Sequence, residues 1–147
     1  MPLPSKVIIG SDHAGFRLKE ACKRHLVGLG VDVHDVGTDS EESVDYPDFV
    51  HPVASGVESG EYPLGVVCCG SGQGASMTAN KHQGIRCALC WTPEIGRLAR
   101  EHNDANVLSL AERFTTEAEG LAILDAFLAA DFEGGRHARR IGKMPCA

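Results

Sequence analysis

Apolar runs short enough to be strands alternate along the chain with stretches of helical period. Residues 6–10 form the first run, and a polar turn from Ser11 to Gly15 leads into a helical period over 16–29. A second strand is expected at 31–36, then an acidic loop over 37–48 holding Tyr46 and Pro47, then a helix over 49–59. Residues 64–69 are apolar without alternation, the pattern of a strand covered on both faces. Glycines 70, 72 and 74 break that run, and 75–81 reads as a helix capped by Ser71 or Ser76. Strands at 85–90 and 107–110 flank a helix over 93–102 that Pro93 opens. Thr115 and Thr116 cap a long helix to residue 130, and the Gly134-Gly135 break precedes a basic cluster of Arg136, His137, Arg139 and Arg140. Strand and helix signals in alternation, with no repeat or linker, predict one α/β domain with a parallel sheet between two helical layers.

Composition narrows the classes of function. A chain of 147 residues is long enough to bury a sizeable core as one domain. Its formal charge of −6 argues against a nucleic-acid surface, so an anionic ligand would need a local basic pocket. No secretory signal precedes the first strand and no apolar run reaches membrane-spanning length, which predicts a cytoplasmic protein with no membrane partner. The six cysteines (Cys22, Cys68, Cys69, Cys87, Cys90 and Cys146) are expected to be reduced. Cys87 and Cys90 have the spacing of half a zinc or redox motif, but they lie in an apolar run and no second ligand pair follows. They read as core residues, and no metal-ligand spacing is found.

The candidate chemistry centres on the turn after residue 69. A glycine turn feeding a helix presents backbone N–H groups and the positive dipole end to an anion. Cys69 ends the strand there, and a thiol near a helix N-terminus can reach its thiolate near neutral pH. An acid–base or nucleophilic group then stands beside donors suited to an oxyanion. The glycine spacing is neither a dinucleotide fingerprint nor a P-loop. Ligands of doubly wound sheets bind beyond the carboxyl ends of the strands, which gathers Asp12, His13, Tyr46 and residues 69–74. Each of these also has a plainer reading, Asp12 and His13 as a helix cap and Tyr46 as turn packing. His102 and Asn103 end the fourth helix, normally the far edge, and read equally as a helix stop. An acidic protein that keeps both an anion cradle and a basic cluster is best matched by a phosphate ligand.

Gly10 to Phe16, Asp45-Tyr46-Pro47, Cys69 to Gly74, Ala79-Asn80-Lys81, His102 to Asn106 and Glu133 to His137 together resemble ribose-5-phosphate isomerase type B. The wider family includes allose-6-phosphate and galactose-6-phosphate isomerases, and the resemblance covers nearly the whole chain. It implies a three-layer, doubly wound (Rossmann-like) sheet of five parallel strands and an isomerase of phosphorylated aldoses and ketoses. Cys69 resembles the base that moves a proton between C2 and C1, and Gly70, Ser71, Gly72, Gln73 and Gly74 the loop that holds the enediolate oxygen. His102 resembles the residue that opens the sugar ring; Asp12, His13 and Asn103 match contacts to sugar hydroxyls, and Tyr46 and His137 fall among the expected substrate contacts. Arg113, Arg136 and Arg140 match the phosphate-binding arginines, some reaching in from a second subunit. One branch of the family replaces the cysteine by a glutamate a few residues on; that position here is Ala75, so the chain falls in the cysteine branch. The family implies a homodimer, in some members paired into a tetramer, with residues 131–147 contacting the second subunit.

This chemistry calls for no cofactor, whether metal or nicotinamide. An isomerase of a six-carbon aldose 6-phosphate is the nearest alternative, and Trp91, at the end of the fourth strand, is a candidate for shortening the pocket. A non-catalytic phosphate-binding module would need neither Cys69 nor His102. A thiol phosphatase would want an arginine inside the glycine loop, and residues 70–74 hold none.

Overall fold

The computed structural model describes residues 2–146. Strands β1 (Lys6–Ser11), β2 (Asp32–Asp35), β3 (Leu64–Cys69), β4 (Cys87–Leu89) and β5 (Val107–Ala111) form one parallel sheet in the order β2-β1-β3-β5-β4. Helices α1 (Phe16–Gly28), α2 (Pro47–Glu58), α3 (Gln73–Ala79), α4 (Pro93–Asn103) and α5 (Glu117–Ala129) connect and cover it, and a short α6 (Arg136–Ile141) ends the chain. Two 3₁₀ turns, His13–Gly15 and Glu112–Phe114, follow β1 and β5. This is the doubly wound α/β architecture expected from the sequence. Among the described residues no helix is long and apolar enough to cross a membrane.

The continuous apolar run of β3 is explained by its two covered faces. Leu64, Val66 and Cys68 join one core with Leu18, Cys22 and Leu26 of α1 and Ile123, Leu124 and Phe127 of α5. Val67 and Cys69 join the other with Val50, Val53, Ala54 and Val57 of α2 and Ala75 and Ala79 of α3. Successive side chains of a strand point to opposite faces, so the adjacent cysteines are sent to different layers. Connections leave β1 toward β2 on one side and enter β3 on the other. The crevice between β1 and β3 is therefore the switch point of the sheet, where such folds bind ligands.

Several boundaries differ from the sequence reading. Helix α3 begins at Gln73 and not at residue 75, because Gly72 at φ 73° takes the N-cap position and turns the chain straight into the helix. No serine side chain caps it; Ser71 Oγ only accepts a long bond from Gln73 N at 3.4 Å. Strand β4 is short because the chain before it is held by side chains: Asn80 bonds both main-chain groups of Cys87, and Asn106 Oδ1 accepts from Arg86 N. Thr116 alone caps α5, in a reciprocal capping box with Glu119.

The C-terminal segment departs furthest from expectation. The Gly134-Gly135 break reads in the sequence as a point where the tail can leave the domain. The tail folds instead as α6 against α4, and Glu133 N donates to Glu101 O at 3.0 Å. The two glycines, at φ 70° and 59°, make this return possible. A buried charge was also not foreseen. The Lys19 ammonium is wholly enclosed and bonds Asp35 at 2.7 Å, and Lys23 reaches the same carboxylate at 3.2 Å.

Candidate active site

The site is built from the carboxyl ends of β1, β3 and β5. Cys69 is the last residue of β3, paired in register with Ala111 at the end of β5, and is 4% exposed. Its neighbour Cys68 lies in the opposite layer, where a hydrogen bond with Cys22 and burial push the thiol well above its ordinary pKa. That thiol is protonated at neutral pH and has no path to the crevice. Burial likewise pushes Cys87 and Cys90 up to about 12, Cys87 despite a hydrogen bond from Ser76, which supports reading the pair as core.

The loop after Cys69 is shaped by close approaches. A Cβ on Gly72 would lie 2.5 Å from Leu89 Cδ1 and 3.2 Å from the Leu110 carbonyl oxygen, so only glycine fits. The Gly72 carbonyl accepts from Ser109 Oγ at 2.7 Å, a fully buried bond. The Tyr46 ring lies over Gly74, with Cζ 2.5 Å from where a Cβ would be, and the Arg113 guanidinium lies over Gly70 at 3.1 Å on the same measure. Ser71 is half-buried and Gln73 exposed at the start of α3. The first N–H groups of α3 have no intrahelical acceptor and, beyond the long bond from Gln73 N to Ser71 Oγ, can meet an anion.

Asp12 and His13 are brought alongside by the turn after β1. That turn is pressed against β3, since a Cβ on Gly15 would be 2.4 Å from the Cys68 carbonyl. Asp12, 6% exposed, accepts from Gly15 N at 3.0 Å, so the cap reading is correct for one of its oxygens. His13 Nδ1 accepts from Val44 N at 3.1 Å, which leaves the proton of the neutral ring on Nε2. The two 3₁₀ turns pack on each other, and Glu112 Oε1 accepts from Leu18 N at 2.7 Å, so one carboxylate caps α1 and fixes the turn carrying Arg113.

The remaining expected residues stand elsewhere. His102 and Asn103 end α4, and the Asn103 carbonyl accepts from Arg86 Nε at 2.9 Å, just before β4. They lie at the amino edge of the sheet, opposite to Cys69. The His102 ring stacks on that of His137, centroids 4.4 Å apart. Arg136 and Arg140 are exposed on α6, and His137 is buried. Trp91 is 64% exposed at the end of the edge strand, with β5 between it and β3. One protomer thus carries two separated groups of candidate residues, one at each edge of its sheet.

Two contributors were missed in the sequence. Ser109 holds the cradle, and its signal was the one hydroxyl inside the otherwise apolar run of β5. Glu133 lies 3.4 Å from His137, four residues on, and 3.7 Å from His102, a meeting that no local spacing reveals.

Fold and site define a class: a doubly wound α/β protein with a thiol and an oxyanion-type N–H cradle at the switch point of its sheet. Comparison with known proteins narrows it. A model of the Ribose/Galactose Isomerase family matches residues 7–144, and the chain belongs to that family. Among its relatives, ribose-5-phosphate isomerase B of Escherichia coli is 45% identical over 136 residues, covering 92% of this chain and 91% of the relative. The structure of Clostridium thermocellum ribose-5-phosphate isomerase B superposes with a TM-score of 0.94 at 50% identity, covering 95% of this chain and 94% of that one. The Mycoplasma genitalium enzyme, solved with bound ribulose-5-phosphate, gives a TM-score of 0.91 at 43% identity, covering 95% and 93%.

Proposed function

We propose that the protein is an aldose–ketose isomerase that interconverts ribose 5-phosphate and ribulose 5-phosphate through a cis-enediolate. The observation that carries this reading is the Cys69 thiol at the end of β3, set directly before the N–H groups that open α3. The likeness to ribose-5-phosphate isomerases B, one of them bound to ribulose-5-phosphate, supports the choice of substrate.

The proton beside a sugar carbonyl is weakly acidic, so its removal needs a placed base and stabilisation of charge on the neighbouring oxygen. Cys69 takes the proton from C2 of the aldose and returns it to C1, work worth about 10²–10⁴-fold. The N–H groups of residues 70–74 and the Ser71 hydroxyl hold the enediolate oxygen, each donor contributing roughly 3 kcal/mol. Asp12 accepts from sugar hydroxyls, His13 donates through Nε2, and Arg113 meets the phosphate. The phosphate is remote from the reacting carbons, so its binding holds the substrate in a reactive pose.

Ring opening and the rest of the phosphate grip are assigned to a second subunit. His102 is the tenth of the eleven residues of helix α4, which carries it about 14 Å from the start near the carboxyl edge. General acid–base work needs hydrogen-bond reach of about 3 Å. A homodimer in which His102, Asn103, Arg136, His137 and Arg140 of one subunit face the Cys69 cradle of the other unites the two groups. On this reading the chain is a single isomerase domain, 1–147, with 131–147 at the subunit contact. Its six unbridged cysteines accord with work in the cytoplasm.

The test is an NMR assay of ketose formation from a panel of aldose 5- and 6-phosphates without added metal. Ribose 5-phosphate is expected to turn over fastest. A preference for a six-carbon phosphate would move the protein to the allose or galactose type, and turnover of none would end the isomerase reading.

A further inference from the structure

We propose that His102, Glu133 and His137 form a binding site for a divalent transition-metal ion of the zinc type. One ligand atom from each residue can be chosen so that all lie within 4.8 Å of one another. Glu133 Oε1 is 3.4 Å from His137 Nε2 and 3.7 Å from His102 Nε2. Ligands about 2.0–2.1 Å from a tetrahedral ion are about 3.4 Å apart, so two edges of the polyhedron are already near their bound length. The third closes by a shift of the His102 side chain, 39% exposed, out of its stack on His137.

The independent observation is His137 itself. Its side chain is 9% exposed, and Nε2 is buried with no hydrogen-bond partner. Glu133 Oε1 lies 3.4 Å away yet makes no hydrogen bond to it. A buried polar nitrogen left this way is destabilising unless something else meets it. An ion held between Nε2 and the Glu133 carboxylate would satisfy it.

The backbone prepares the arrangement. Glu133 N is tied to the last turn of α4, and Gly134 and Gly135 reverse the chain so that His137 returns over His102. Two imidazoles and one carboxylate select zinc, cobalt, nickel or copper over magnesium and calcium, which prefer all-oxygen sets. Three protein ligands leave a fourth position for water. The exposed guanidinium groups of Arg136, Arg139 and Arg140 lower the affinity for a cation without altering the ligand set.

The consequence for activity rests on the proposed function. A metal on Nε2 of His102 occupies the lone pair that ring opening uses, and it holds His137 away from phosphate. Zinc should then be a reversible inhibitor relieved by a chelator.

Binding is measured first, on the full-length wild-type protein, by titrating cobalt(II) alone and recording its visible d–d bands, then displacing it with zinc. One ion per chain is expected, with no thiolate-to-cobalt charge-transfer band, so that the six free cysteines are not the ligands. Glu133→Gln should weaken binding at least tenfold, and His137→Asn likewise. Glu133→Gln should need at least tenfold more zinc for half inhibition, measured against its own metal-free turnover. Absence of binding, unchanged affinity in Glu133→Gln, or a charge-transfer band would overturn the site. Full occupancy with undiminished turnover on ribose 5-phosphate would uphold the site and remove His102 from ring opening instead.

Discussion

Mixing two dead variants should restore activity. Cys69→Ala removes the proposed base and His102→Asn the proposed ring opener, and each homodimer alone should be inactive on cyclic ribose 5-phosphate. The structure sets the scale of the argument. Cys69 sits at the carboxyl end of a six-residue strand, which at ~3.3 Å per residue spans about 20 Å. His102 lies at the other end of an eleven-residue helix that runs back beside the sheet. Within one chain the pair stands at opposite edges of the sheet, beyond the about 3 Å that proton transfer requires. Sites shared across a two-fold axis remove that separation.

The yield follows from counting. Equal amounts of the variants, allowed to exchange, give half hybrid dimers. In each hybrid one site combines both defects and the other combines intact Cys69 with intact His102. Recovered activity should therefore approach about a quarter of wild type. The assay is ketose formation after exchange, with hybrids isolated through two affinity tags. A hybrid shown to form, yet no more active than its parents, would mean that each chain completes its own site, and the two-edge argument would fail.

Three further outcomes are expected. Cys69→Ala should lower kcat for isomerisation by about 10²–10⁴-fold while Cys68→Ala keeps most activity, because Cys68 faces Cys22 in the other layer; the opposite ranking in the same NMR assay would refute the assignment of the base. Ser109→Ala removes one of two donors to the buried Gly72 carbonyl, which keeps Ser76 N at 3.1 Å, so urea unfolding should show a loss of about 0.5–1.5 kcal/mol, and kcat should fall more than KM rises. Burial alone would push the Asp35 carboxyl up, but the Lys19 ammonium, the Gly37 N–H and Lys23 hold it below the ordinary carboxylate range. Its contribution is thus present above the unfolded value near pH 4 and lost as the pH falls through the lower folded value. Asp35→Asn should cost about 3 kcal/mol at pH 7 by stranding the enclosed Lys19 ammonium, with the deficit shrinking below about pH 4; a deficit independent of pH would refute the pairing.

Legibility in the sequence followed the range of the forces involved. Strand β3 was read to the residue because its unbroken apolar run is a direct image of two covered faces. Helix α3 was placed two residues late because a glycine at positive φ does locally what a serine cap was expected to do. The cradle half of the candidate site was readable since strands of a parallel sheet deliver their following loops to one edge, and one rule of the fold collects Asp12, His13, Tyr46 and Cys69 there, whereas Arg113 was legible only through the family resemblance. Ser109 escaped because a single hydroxyl in a strand carries no sign of which carbonyl it will meet. Lys19 escaped for a related reason: on a helix it reads as solvated, and only Asp35, sixteen residues on at the end of β2, makes its burial tolerable. The basic segment was legible as chemistry but not as place. Its charges predict a phosphate, whereas its position on α4 depends on one backbone bond from Glu133 to Glu101 and two glycines in the left-handed region. That bond decides more than the tail's own path. By tying the tail to the amino edge it sets His137 beside His102 and carries Arg136 and Arg140 away from their own cradle. On the proposed reading, a ligand that meets both groups of residues lies between two copies of the chain.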